Sequence, residues 1–302
     1  MISASFTYDG GQCPLLPLEA HVSRDYGSHS ISARFTYDGG HFSIHRYEAG
    51  IHWSGVGNEY SYNDVADGPH NCFLGGGNEA EATGGAVDCL FEGNTLDRCS
   101  YEAADTGAFY SCGQQASAFV NRNNTIRSCS FSRIRNIVGT GVQSASVQAV
   151  YLDDQMSGWT IEKSRFTDCQ VGSFIGGGRR NVVRSNRFEH CDTAQHFDDR
   201  GETWESASCN CTGAKPCKPG AGACDCNLAG AAWYVSEAPA ARTWASRFPE
   251  LQSVGTDRRC QPAHNVIRDN VYCKSAKFLD MDAAKVEGYG TVVANNTEVT
   301  DC

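Results

Sequence analysis

A three-point motif recurs in order along this chain: an aliphatic or aromatic residue, a small polar residue three positions on, and a second apolar residue two further. The copies are Tyr60/Asn63/Val65, Phe91/Asn94/Leu96, Ile126/Cys129/Phe131, Ile161/Ser164/Phe166, Val183/Asn186/Phe188, Ile267/Asn270/Tyr272 and a degraded Val293/Asn296/Glu298. Their starts are separated by 31, 35, 35, 22, 84 and 26 residues. A smallest unit near 22 residues is therefore interrupted by insertions of varied length, which points to stacked coils with loops rather than a helical array.

Within each copy the apolar positions alternate or nearly so, and Asn, Gly and Asp bound them, so the copies read as short strands between turns. A unit this short cannot bury its apolar face alone and must stack on its neighbours. The expected fold is all-β, a single-stranded right-handed parallel β-helix over residues 46–302. Asn stands at the centre of five copies, where its side chains would bond from coil to coil and satisfy polar groups turned inward. A β-sandwich also gives short strands and frequent turns, but it does not explain one motif repeated in order. Residues 1–45 lack the motif and read as an N-terminal cap or irregular segment. They hold a near-duplicate, ISASFTYDGG at 2–11 and ISARFTYDGG at 31–40, which is either a pair of cap strands or the trace of a duplication or faulty gene boundary.

Sixteen cysteines among 302 residues favour a compartment where disulfides persist, outside the reducing cytosol. The expected location is extracellular or along the secretory pathway, although the start shows no basic and apolar leader pattern. Cys99, Cys169 and Cys191 each lie eight residues after the start of their copy. Cys169 and Cys191 would then stack on successive coils, at a spacing that fits either a disulfide or a column of small buried thiols. Five more, Cys209, Cys211, Cys217, Cys224 and Cys226, sit in a Gly/Pro/Ala-rich insertion at about 205–230 that contains no His. That composition favours a disulfide-stapled loop over a zinc site. Five is odd, and Cys260 is a candidate partner. A net charge of −10 argues against a nucleic-acid partner, because that affinity comes mostly from Lys and Arg neutralising phosphates. No apolar run reaches the length of a membrane span.

Candidate chemistry follows from a second register. Phe73, Phe174 and His196 each stand 13 residues after a motif start, in FLGG, FIGG and HFDD, and YLDD at 151–154 has the same pattern. Aligned so, Asp153 and Asp154, then Gly176 and Gly177, then Asp198 and Asp199 occupy equivalent places on three coils. Two acidic coils would flank a glycine floor open to a flat ring. Carboxylates about two coil spacings apart, roughly 9–10 Å between Cα levels, suit hydrolysis with a water between acid and base. Arg200 could orient a carboxylate or bind an acidic sugar, and His196 would share a face with Asp198. Each aspartate alone has a plainer role as a turn residue, and Asp-Asp pairs can also hold calcium. No other metal and no cofactor is expected.

The stretches GVGNEYSYNDVADGPHNCFLGGGNEAEA, EAADTGAFY, VYLDDQMSGWTIEKSRFTDCQVGSFIGGGRRNVVRSNRFEHCDTAQHFDDRGETW and RTWASRFPEL resemble a family of parallel β-helix proteins in the pectin-lyase-like superfamily, including secreted glycoside hydrolases of the fucosidase/xylanase type. The resemblance covers roughly residues 50–300. It implies an extracellular carbohydrate-active protein, with Asp153, Asp154, Asp198, Arg200, His70, Glu102, Asp105 and Tyr110 as the catalytic or binding set. Asp199 stands where that family usually has Ala, and SCGQQ follows GAFY where a G-R-D-W-like run is usual.

The expected function is thus a glycoside hydrolase acting on a plant- or algal-type polysaccharide or oligosaccharide, as a monomer, with Asp154 and Asp198 as the acid/base pair. Two alternatives are a polysaccharide lyase on the same scaffold and a non-catalytic β-helix that binds glycan or forms a surface structure. Sequons at Asn123, Asn210 and Asn295 fit a glycoprotein.

Overall fold

A computed structural model describes residues 2–8, 30–37, 49–53, 55–76, 86–111, 121–137, 146–204, 236, 241–281 and 283–302. Every strand pairing in it is parallel, and the strands form three faces of a parallel β-helix. The first face stacks Glu59–Ser61, Leu90–Glu92, Asn124–Arg127, Trp159–Glu162, Val182–Arg184, Val266–Arg268 and Val292–Ala294. The second stacks Asp64–Ala66, Thr95–Asp97, Ser130–Ser132, Arg165–Thr167, Arg187–Glu189, Val271–Cys273 and Thr297–Glu298. The third stacks Ala49–Trp53, Asn71–Gly75, Thr106–Ser111, Val147–Leu152, Val171–Gly176, Thr193–Asp198 and Lys277–Asp280.

All seven motif copies fall on the first two faces and in register. Their starting residues form one column from Tyr60 to Val293, and their final residues form another from Val65 to Glu298. Side chains alternate across a strand, so from Tyr60 to Ile267 and from Val65 to Phe188 these columns are buried in the core, while Val293 and Glu298 at the last coil are exposed. Phe131, Phe166 and Phe188 stack with ring centroids 4.9 and 4.6 Å apart, close to the spacing between neighbouring strands. Stacked coils thus bury rings that no single coil could cover.

The central polar residue of each copy sits at the corner between these faces. The residue just before it (Tyr62, Gly93, Ser128, Lys163, Ser185, Asp269 or Asn295) has a left-handed φ between 51° and 64°. This turn leaves the next backbone N–H facing along the stack, where the following coil's side chain accepts it. Asn63 N donates to Asn94 Oδ1, Cys129 N to Ser164 Oγ, Ser164 N to Asn186 Oδ1, Asn186 N to Asn270 Oδ1 and Asn270 N to Asn296 Oδ1. The ladder therefore satisfies buried amides that have no strand partner at the corner. A second ladder runs where the third face turns into the first. Cys89 N donates to Asn124 Oδ1, Trp159 N to Asn181 Oδ1 and Asn181 N to Asn265 Oδ1.

The near-duplicate segments lie side by side. Ile2–Tyr8 pairs with Ser30–Tyr37 from Ile2↔Ile31 to Tyr8↔Tyr37, and the second of these strands continues onto both the first and second faces. At the other end, Val286 and Tyr289, within and just after the helix Ala283–Gly288, join the hydrophobic core.

The cysteines divide. Cys72–Cys99 and Cys273–Cys302 are disulfides with Cα separations of 5.8 and 5.9 Å. Cys89, Cys129, Cys169 and Cys191 are buried free thiols, so Cys169 and Cys191 take the role of small apolar core residues. Cys260 is disulfide-bonded, and the insertion with Cys209 to Cys226 lies outside the described residues.

Candidate functional site

The outward column of the third face runs Leu74, Tyr110, Tyr151, Phe174, His196, Asp280. Phe73 is not in it. It pairs with Phe109 one place earlier, a slip from the expected alignment, because the turn from Ala66 to Asn71 holds one residue more than those from Thr167 to Val171 and from Glu189 to Thr193. The other three predicted positions hold. Tyr151 and Phe174 stack at 4.6 Å between centroids, and His196 meets Phe174 edge-on at 4.2 Å. His196 Nδ1 lies 3.1 Å from Asp280 Oδ2, so its polar partner is Asp280 rather than Asp198.

Just past this column the strands end in the acidic register. Gly176 pairs with Asp198, and Leu152 pairs with Ile175, which sets Asp153 beside Gly176. Asp153, Gly176 and Asp198 therefore occupy three successive coils as expected. The glycine level, however, is not an open floor. A Cβ at Gly176 would lie 2.6 Å from Arg200 Cζ, and one at Gly177, where φ is +74°, would lie 2.7 Å from Arg200 Cγ. Glycine is required here because the Arg200 side chain crosses this level.

Arg200 is the hub. Its Nη1 donates to Asp153 Oδ1 and, at 2.9 Å, to Asp154 Oδ1, while Nε and Nη2 donate to Asp198 at 2.8–3.1 Å. Its guanidinium carbon sits 5.1 Å from the ring centre of Phe174 and 5.0 Å from that of Trp204. Three carboxylates from two coils thus converge on one cation, across the coil that carries the glycines. Calcium would need these same oxygens, so the arrangement does not suit it. Among the described residues, no group of three or more His, Cys, Asp and Glu side chains could hold a metal ion.

The aspartates differ in setting. The side chains of Asp153 and Asp154 are 8% and 5% exposed, and that of Asp198 is 24%. Tyr110 Oη donates to Asp153 Oδ2 at 2.7 Å, and Tyr151 Oη to Asp105 Oδ1 at 3.3 Å. Burial, and then the neighbouring Asp154 charge, push the Asp153 carboxyl up to about 6 against the pull of Arg200 and Tyr110. Burial, helped by the Asp153 charge, pushes the Tyr151 hydroxyl well above its usual range, so it stays a donor. Asp154 and Gln155 both have left-handed φ, 41° and 67°, a costly conformation for buried residues with side chains.

Asp199 leaves the cluster. It accepts from Lys285 Nζ at 2.8 Å and from Tyr289 Oη at 2.9 Å. Although burial opposes it, these partners hold the Asp199 carboxyl below its usual range. Tyr110 and, through Tyr151, Asp105 join the cluster. His70 and Glu102 belong to turns between the second and third faces, whereas Asp153 and Asp198 stand where the third face ends. His70 Nδ1 lies 2.6 Å from Asn71 Oδ1, and the Glu102 amide donates to the Pro69 carbonyl. The sequence reading missed Tyr151 as a contact of Asp105, and Trp204 altogether.

The Asp153 shift has a measurable sign. A carboxyl raised in the folded state binds more protons there than when unfolded, so it contributes stability at low pH that is lost as pH rises through about 6. Melting curves across this range should show Asp153→Asn removing that part of the slope. An unchanged slope would mean that Asp153 ionises like a solvated carboxyl.

Comparison of the chain with protein-family models, curated proteins and solved structures finds no match in any of the three.

Proposed function

We propose that this chain is a carbohydrate-active enzyme of the cell exterior, a glycoside hydrolase whose acid/base groups are Asp198 and the Asp153/Asp154 pair gathered on Arg200. The observation that carries the proposal is the contrast between acids held on one guanidinium. Asp153 is raised to about 6, and Asp198 is the most exposed of the three and bonded to Arg200 through both oxygens. A carboxyl raised toward neutrality suits general-acid work, and the partly exposed Asp198 can be reached by water. In this reading the Asp153/Asp154 pair is the acid and Asp198 the base or nucleophile. The shared guanidinium keeps the nearest oxygens of Asp154 and Asp198 within roughly 8 Å. That bound accommodates both the retaining separation, about 5–5.5 Å, and the shorter part of the inverting range.

Disulfides at Cys72–Cys99 and Cys273–Cys302 support a location outside the cytosol. Among the described residues no helix is long and apolar enough to cross a membrane.

The near-complete burial of Asp153 and Asp154 favours a second reading, a β-helix that binds glycan without cutting it. Product analysis on a panel of plant and algal polysaccharides separates the readings. Hydrolysis releases reducing ends with no unsaturated sugar, a lyase yields the ultraviolet-absorbing unsaturated product, and a binding protein retains the glycan and releases nothing. Either of the last two results removes the hydrolase proposal.

A further inference from the structure

Trp204 is 70% exposed, unusual for the largest apolar side chain beside a buried ionic cluster. It stands two residues beyond the short turn Arg200–Glu202, with its ring against the Arg200 guanidinium at 5.0 Å. Arg200 is in turn fixed by three aspartates and lies 5.1 Å from the centre of the Phe174 ring. One face of the indole thus rests on a rigid support, and most of the ring remains open to solvent. A flat apolar surface held at the rim of a polar cluster fits the C–H face of a pyranose, whose hydroxyls then project toward the polar groups.

The charges around this platform decide which sugars it can take. Nε, Nη1 and Nη2 of Arg200 all donate to Asp153, Asp154 or Asp198, and Lys285 donates to Asp199. Glu202 adds a further negative charge and accepts from Gln261. Arg200 and Lys285, the cations bonded to these aspartates among the described residues, already serve carboxylates of their own chain, so Arg200 is not offered to an acidic sugar. A uronate would meet a surplus of like charge, an effect strongest where water is excluded.

We infer that Trp204 is a sugar-stacking platform for a neutral glycan and that the charge around it excludes polyuronates. The inference deepens the proposed carbohydrate function and rests on it, but its test reads binding rather than cleavage. Calorimetric titration of the purified chain with short xylo-, manno- and cello-oligosaccharides and with oligogalacturonate supplies the comparison. At low salt at least one neutral oligomer should bind about ten-fold or more tightly than oligogalacturonate, with the gap narrowing as salt rises. Trp204→Ala should weaken neutral binding by about ten-fold or more, and Trp204→Phe should restore much of it. Because the ring is largely exposed, both variants should melt close to the parent protein.

Oligogalacturonate binding as tightly as every neutral oligomer, neutral affinities unchanged in Trp204→Ala, or no binding across the panel would each overturn the inference. The two proposals fail separately. Trp204-dependent binding without bond cleavage removes the hydrolase and keeps the platform. Cleavage with affinities indifferent to Trp204 does the reverse.

Discussion

Arg200→Met should destabilise the fold by about 3–5 kcal/mol at neutral pH, because it leaves buried carboxylates with no counter-charge. Asp153 and Asp154 are almost fully buried, and both depend on the same Nη1 nitrogen. A loss of this size is a large share of the roughly 5–15 kcal/mol that holds a domain together, and the melting temperature should fall on the order of 10 °C. The variant should recover at low pH. Without Arg200 the folded-state carboxyls are raised by burial, so protonation relieves the defect, and the deficit grows as pH rises through their folded values. Adding Asp153→Asn and Asp154→Asn to Arg200→Met should restore much of the loss, since neutral amides need no counter-ion. Arg200→Lys should recover only part, because an ammonium cannot match the fork that serves two coils at once. A variant melting within a degree of the parent at neutral pH would show that the cluster does not hold this corner.

Asp198→Asn and Asp154→Asn should each lower turnover on the cognate glycan by about 10²–10⁴-fold, the usual contribution of a positioned proton-transfer group. Asn keeps the size of the side chain and an oxygen that can accept from Arg200, so the fold should survive both changes and melting should move little. The variants should still bind glycan, which separates lost chemistry from lost binding. Turnover within about two-fold of the parent in both would remove the acid/base assignment.

How much of this was legible beforehand depended on where the coil length is fixed. The Tyr60-to-Val293 and Val65-to-Glu298 columns could be read directly, because the corner between them always spans two residues and its amide always needs an acceptor from the next coil. Asn124, Asn181 and Asn265 form an equivalent ladder two positions before the motif start. The signal was present, but Cys89 and Trp159 break the column in sequence. Phe73 was misplaced by one because counting assumed a constant turn between the second and third faces. The alignment of Asp153, Gly176 and Asp198 was recoverable, whereas the use of that glycine level was not. Nothing local says that the Arg200 side chain folds back over Gly176 and Gly177, or that Asp199, next in sequence to Asp198, turns instead to Lys285 and Tyr289. Such partners are set by side-chain direction and by segments distant in sequence, neither of which a repeat encodes.

In all seven motif coils the corner between the first and second faces spans two residues, while the other two corners range from a few residues to the long excursion between Asp198 and Val266. The third face is therefore bordered on both sides by segments free to grow or shrink, while the ladder keeps the frame in register. A chain built this way can exchange the walls around a binding surface without disturbing the supporting stack, much as hypervariable loops are exchanged on a constant sandwich. Loops grafted at either of those corners should be tolerated, whereas one inserted residue between Ile161 and Phe166 would break that coil's corner and the ladder bonds Ser164 makes to Cys129 and Asn186.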